Sequence, residues 1–424
     1  MRLRLARFRQ PARRRARTAG TALVAALVLL WGPASAQQKD AGKEKELFAR
    51  VDQMLGEVSE ILGLKVDRPV PRAMITREKI REYIEGRIAE AIPPEELRAQ
   101  EIVLKKFGYL PKDFNLKAQM VDLLTEQAAA FYDFKQKKLY LASWTPSAMQ
   151  DVALVHELAH ALADQHFNLE KFIAKSGEDD DAAVARGAVV EGQASWVMTE
   201  YMARQMGQSL KTSPQLAQFS AGASAEAVKQ FPVLGAAPLY LQQTLMFPYT
   251  QGMLFQHAVF EKSGKAAFAE VFRRPPLSSQ QVLHPERYFA RAVPSKPALP
   301  SARVPAGFKK TIEGTIGELD LRILLEQYLG EGDARMLAPR WKGGRYALWE
   351  DPKKSRAILQ YAVEWEGESD AAEYFDRYRK ICGKKWTQLR VETEQPQQVN
   401  GTGDDGRFVW TLRGTTVTSM EGLP

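Results

Sequence analysis

DVALVHELAHALADQHF, residues 151–167, is the stretch that decides how the rest of the chain is read. No Gly or Pro interrupts Ser147–Phe167, Pro146 stands at a favourable first-turn position and Thr145 can cap, so the stretch predicts one uninterrupted helix. Side chains four apart share a helix face, so His156 and His160 offer ring nitrogens to the same point. Asp164 lies one turn further along that face, placed to orient His160 through its second nitrogen. Glu157 is rotated by about 100° from His156, within reach of a metal-bound water rather than of the metal. The competing reading is a buried helix that carries two packing histidines. Two observations weigh against it. The chain has only 5 histidines, so a chance His-Glu-x-x-His is rare. The flanking residues are apolar, where unpaired polar groups are costly. The pattern points to a zinc-dependent peptidase.

Two residues downstream can complete a three-ligand site. Glu191 lies in the helical run Asp181–Met206, on a stripe with Gly187, Ala188, Ala194 and Ser195. A small-residue face with one carboxylate in its middle lets this helix approach the histidine helix, as zinc–ligand bonds of about 2.0–2.2 Å require, and Gly192 adds room. His166 follows His160 by six residues, but a helix continuing through Ala163 turns it away from the face of His156 and His160. The reading favours Glu191 and keeps His166 as the alternative ligand.

With these residues in place, a resemblance can be stated. His156-Glu157-Leu158-Ala159-His160 followed by Glu191-Gly192-Gln193-Ala194 resembles the gluzincin pattern, the thermolysin-like group with two His and one Glu on zinc. The continuation Ala161-Leu162-Ala163-Asp164 is similar to that group as well. The interval to His166 resembles the metzincin spacing, but Ala163 stands where metzincins have glycine, and no clear Met-turn follows. More narrowly, AFYD (130–133), HELAHALADQHF (156–167) and EGQA (191–194) resemble a set of exported, poorly characterised bacterial metallopeptidases. A weaker likeness extends to PYTQG (248–252), PPLSSQQVLHPERY (275–288) and WKGGRY (341–346). The resemblance implies a zincin-like catalytic domain with one zinc per chain on His156, His160 and Glu191. It also implies Glu157 as the general base for water attacking a peptide carbonyl. It implies a peptide or protein substrate but no particular one. Tyr132, Tyr249 and His284 are the candidates for an oxyanion or substrate donor. Packing is the rival role for Tyr132, and loop anchoring for His284.

Upstream, Ala130–Ala142 alternates and is rich in aromatics, which predicts a hairpin, with Lys138–Ala142 as the edge strand that would hold substrate backbone. Residues 37–129 read as helices at Glu44–Leu64, Thr76–Ala91, Pro94–Phe107 and Leu116–Ala130, packing on the catalytic core of 130–293, with an inhibitory prosegment as the alternative role. Residues 1–36 read as an address. Eight arginines and no acid in the first 17 positions precede an apolar run, Thr21–Trp31, and a small-x-small end at Ala34–Ala36. That is a signal peptide cleaved after Ala36, so the expectation is export to the periplasm or beyond, with no remaining membrane span.

Removing those arginines from Lys+Arg 59 leaves 51 against Asp+Glu 51, so the pI near 9.3 is no argument for nucleic-acid binding. The single Cys382 excludes an intrachain disulfide and a thiolate metal site. Downstream, Tyr249–Lys262 and Lys265–Phe272 read as helices closing the catalytic part, and residues 207–247 before them as a lid or cleft wall, or as a connection with short helices. Pro-rich residues 294–305 read as a linker to an α+β domain at 306–424 whose tryptophans form its core. The fold class expected is therefore α+β. Two functions stay open: an exported zinc metallopeptidase, and a binding or assembly protein that keeps the zincin fold without turnover. Glu157 favours the first, because a structural zinc site needs no base.

Overall fold

The computed structural model describes residues 41–143, 147–228, 231–300, 304–353 and 356–424. The expected signal peptide and the Thr145–Pro146 cap lie outside the described residues. The chain is α+β, with a helical part followed by a C-terminal sheet. Among the described residues no helix is long and apolar enough to cross a membrane.

Helix α1 (Ala41–Leu62) follows from its three-to-four apolar spacing. Val51, Leu55, Val58 and Leu62 are buried in one cluster with Leu154, Val155, Leu158 and Leu162 of α5 (Ser147–Phe167), so α1 backs the histidine helix. Helices α2 (Arg77–Ala91), α3 (Pro94–Phe107) and α4 (Leu116–Gln127) end where their caps dictate. Thr76 accepts from Lys79 N, Asn115 accepts from Ala118 N, and Gly108 at φ 90 closes α3.

Residues 37–129 are not wholly helical. Arg72–Ile75 forms strand β1, which pairs in parallel with β3 (Lys138–Ala142), while β2 (Ala130–Asp133) pairs antiparallel on the other side. Four residues behind a proline carry no readable alternation, and only tertiary pairing makes β1 a strand. The order β1-β3-β2 corrects the expectation that Lys138–Ala142 is an open edge, because both of its sides are occupied.

Next come α6 (Leu169–Ala174), α7 (Asp180–Gln205), α8 (Gln215–Ala227), α9 (Pro232–Ala236) and α10 (Leu239–Ser263). Helix α10 starts ten residues before the expected Tyr249 and runs through Pro248. A proline removes one helix hydrogen bond, and here burial of α10 against α7 outweighs that loss. The two helices cross where each has a glycine. A Cβ at Gly192 would fall 2.2 Å from the Gly252 carbonyl, and one at Gly252 would fall 2.3 Å from the Ala188 carbonyl oxygen. The small face of α7 is thus spent on α10 as well as on the histidine helix.

Helices α11 (Ala267–Arg273), α12 (Ser279–Leu283) and α13 (Pro285–Phe289) lead to the C-terminal part. There β4 (Lys309–Thr315), β5 (Trp341–Glu350), β6 (Ala357–Trp365), β7 (Arg390–Gln395), β8 (Gln398–Gly403), β9 (Gly406–Arg413) and β10 (Thr416–Leu423) form one antiparallel sheet. Its order is β4-β5-β6-β10-β9-β8-β7, and α14 (Glu318–Leu329), α15 (Glu331–Leu337) and α16 (Glu368–Lys385) accompany it. Trp341, Trp365 and Trp386 are core residues as expected, whereas Trp349 is only partly buried and donates to Gln360. One continuous apolar core joins Val189, Phe247 and Phe255 to Ile316, Leu319 and Trp341. The C-terminal sheet is built onto the helical part rather than tethered to it.

Candidate metal centre

α5 and α7 pack side by side, and at their contact the two histidines meet the carboxylate. His156 Nε2 lies 3.1 Å and His160 Nε2 3.3 Å from the same oxygen, Oε2 of Glu191. One ligand atom from each residue falls within 4.8 Å of the others, and all three side chains are buried. Bonds of about 2.0–2.2 Å in a tetrahedron set neighbouring ligand atoms about 3.3–3.6 Å apart, close to what is found. Buried polar atoms also lack hydrogen-bond partners here among the described residues: His160 Nε2, Glu191 Oε1, His156 Nδ1 and Glu157 Oε1. Orphaned buried groups are rare unless an ion or ligand completes them. This His-His-Glu group can hold a metal ion, and its donor set suits zinc.

The electrostatics fit ligation. Burial lowers the His156 pKa, with the neighbouring His160 adding to that, which favours the neutral ring a metal needs. Burial alone would raise Glu191, but His160 and His156 more than offset it and hold the carboxyl down at about 2. Glu157 is driven well above the usual carboxylate range by burial and by the charge of Glu191.

Glu157 has an anchor that its motif does not announce. Its Oε2 accepts the Tyr132 backbone N–H at 2.7 Å. In the β2–β3 register the Tyr132 amide points away from β3, so the free edge of β2 faces α5 and its donor goes to Glu157. The edge nearest the centre is therefore β2, not Lys138–Ala142.

Other expected roles are redirected. Asp164 does not orient His160. Its oxygens accept from the Tyr132 hydroxyl at 3.1 Å, Lys137 Nζ at 2.6 Å and Leu169 N at 2.9 Å, fastening the end of α5 to the hairpin and to α6. The Tyr132 hydroxyl is thus committed to Asp164, and burial raises its pKa further. His166 is carried away from the centre by the unbroken helix, and its Nε2 lies 2.7 Å from the Lys65 carbonyl oxygen. His284 pairs with Glu318 at 2.8 Å, linking α12 to the start of α14, so it is an anchor between parts of the molecule. Tyr249 alone of the three donor candidates stays beside the ligands, its ring stacked 6.0 Å from that of His156.

Two spaces meet here. A recess of about 20 Å³ beside His156, lined also by Ser195, Ser220, Ser224 and Tyr249, has room for one water-sized molecule. A larger cleft of about 290 Å³ starts at Glu191 and Tyr249 and runs between α7 and α10 towards β4 and α14. The segment expected to be a cleft wall or lid supplies the first turns of that α10 wall. The cleft itself left no signal in the sequence, because its residues are scattered, mostly apolar positions on seven elements.

Residues 305–424 match a domain family of unknown function (DUF8575). No curated protein matches the chain in sequence. Among solved structures, a Chloroflexus aurantiacus protein described as "a putative hydrolase with a novel fold" is similar at 17% identity and a TM-score of 0.36, over 60% of this chain and 92% of its own. At that score the two backbones share a loose likeness only.

Proposed function

We propose that this chain is an exported zinc metallopeptidase that hydrolyses peptide bonds, with zinc on His156, His160 and Glu191. The observation carrying the reading is the convergence of three buried ligand atoms from two helices, beside a buried glutamate one residue along from the first histidine. When bound, zinc supplies Lewis-acid polarisation and lowers the pKa of a coordinated water towards neutrality.

The chain's own residues do the rest. Glu157 takes a proton from the attacking water and returns it to the leaving amine. The Tyr132 N–H holds one Glu157 oxygen in place and leaves Oε1 for the proton. Tyr249 is the remaining side-chain candidate for steadying the oxyanion. Export rests on the basic and apolar leader, and N-terminal sequencing of the processed protein checks cleavage after Ala36.

The test is zinc by mass spectrometry on the purified protein, followed by peptide-library cleavage. The expected outcome is about one zinc per chain, lost in Glu191→Ala and kept in His166→Ala. Cleavage should then fall by about 10²–10⁴-fold in Glu157→Gln while zinc is retained. Zinc without cleavage under any condition supports the binding-protein alternative, and zinc lost with His166 supports the metzincin-like one.

A further inference from the structure

The cleft that opens at Glu191 has a chemistry of its own. On α7 it follows Asp180, Ala183, Val184, Gly187 and Glu191, one stripe of a straight helix. Eleven residues at 1.5 Å rise put its two ends about 16 Å apart. On α10 it follows Tyr240, Leu241, Thr244, Leu245, Pro248 and Tyr249, running about 14 Å from the far end back to the metal centre. Val103, Leu104, Met120 and Leu124 close the side from α3 and α4. The walls are therefore chiefly aliphatic.

The far end is acidic. Asp180 and Asp320 both line it, and the Tyr346 and Tyr240 hydroxyls donate to them at 3.0 and 3.1 Å. Among the described residues lining the cleft there is no Lys, Arg or His. At the near end Glu191 Oε1 is buried without a partner. Glu191 belongs to the metal centre, but Asp180 and Asp320 are two carboxylates at the end of an apolar slot whose lining holds no cation, a costly arrangement unless an incoming group answers the charge.

We infer that the cleft is a substrate channel for an apolar peptide stretch bearing a basic group, which seats at Asp180 and Asp320 about five residues from the scissile bond. Calling the occupant a substrate rests on the peptidase reading. The spacing follows from about 16 Å divided by about 3.3 Å per extended residue. The basic group is an ammonium or guanidinium, from either a peptide N-terminus or a Lys or Arg side chain. Burial pushes Asp180 up to about 7 and Asp320 up to about 6, so the acids gain most from a cation that relieves their desolvation.

The test reads binding without turnover, by calorimetry on the Glu157→Gln protein with synthetic leucine-rich hexapeptides. Four probes are compared: a free N-terminus, an acetylated N-terminus, an acetylated peptide with Lys first, and one with Glu first. The expected result is that a basic probe binds about ten-fold tighter than the acetylated neutral one, and the Glu probe more weakly still. Preference for the free N-terminus or for Lys identifies the source of the charge. The preference should vanish in Asp180→Asn/Asp320→Asn, and Leu245→Trp should reduce binding of every probe by narrowing the slot. Equal binding of the Glu and basic probes to the unaltered cleft overturns the inference, and so does full binding to Leu245→Trp. The probe series alone decides even if the double variant does not fold. Failure here leaves zinc content and cleavage untouched, and failure of cleavage leaves this binding pattern standing, so the two readings fall separately.

Discussion

At the scale of single residues, the motif names the chemistry and the structure decides who is free to perform it. Tyr132 shows the difference. Its position beside the histidine helix made its hydroxyl a candidate oxyanion donor, but the hydroxyl is given to Asp164 and the backbone N–H to Glu157. Tyr132→Phe should therefore leave zinc content unchanged and lower kcat by less than about ten-fold, while reducing stability by about 1 kcal/mol for the lost hydrogen bond. A kcat loss of 10²-fold or more would return the hydroxyl to the catalytic role. Asp180 makes a prediction about pH. Burial raises its carboxyl to about 7 from an ordinary 3.8, with the charge of Asp320 adding and the Tyr346 hydrogen bond opposing. Between those two values the folded chain binds more protons than the unfolded one, so this group costs stability increasingly as pH rises through the window. The cost is absent below it and constant above it. Asp180→Asn removes the titrating group, so the variant should gain on the wild type between about pH 4 and about pH 8. The ceiling is about 4 kcal/mol, and partial access from the cleft lowers it. Urea unfolding of both proteins at the two pH values checks this, and a pH-independent difference would place Asp180 in water.

At the scale of elements, the position of Glu191 depends on how closely α7 and α10 approach. Gly192→Ala puts a methyl group into the Gly252 backbone, which cannot yield as a side-chain tip can. The expected cost is about 1–3 kcal/mol or more, with weaker zinc retention because Glu191 is the adjacent residue. Gly222→Ala on α8, where an added Cβ meets nothing within 4 Å, is the control and should be neutral or stabilising by up to about 1 kcal/mol. Equal melting temperatures for the two variants would sink the argument. The helices themselves were legible, and Ser147–Phe167 matches α5 from end to end, because a 3.6-residue apolar period is a local property that a single sequence displays. Glu191 was legible for a related reason, as one acid on an otherwise small and apolar stripe. Strand β1, the run of α10 through Pro248 and the Glu157 anchor were not. Each is produced by a partner distant in the chain: β3 for Arg72–Ile75, α7 for Leu239–Phe247, and β2 for the carboxylate. Local pattern has no access to such partners. The same holds for the cleft, whose acidic end unites Asp180 with Asp320 and Tyr346.

For the whole molecule, the proline-rich stretch 294–305 suggested two bodies on a linker, and the packing says otherwise. Asp181 N donates to Thr315 Oγ1 at 3.0 Å and Tyr346 donates to Asp180 at 3.0 Å, so the start of α7 is held by β4 and β5. Arg98 on α3 grips Glu350 with two bonds of 2.8 and 2.7 Å, and His284 holds Glu318. These contacts flank an apolar core shared by both parts. Two domains with separate cores unfold separately, whereas parts that share a core lose it together. Calorimetry of the metal-free protein should accordingly give one transition whose van't Hoff and calorimetric enthalpies agree. Two resolved transitions would mean that the shared core is a weak interface. The consequence reaches the centre, because Ile316, Asp320 and Tyr346 close the far end of the cleft while Glu191 stands at its near end. Removing residues 305–424 would strip the wall from Phe107, Tyr109 and Val184 and leave Asp180 without its tyrosine. The truncated chain should therefore aggregate or melt far lower rather than persist as a smaller folded protein with His156, His160 and Glu191 still in place.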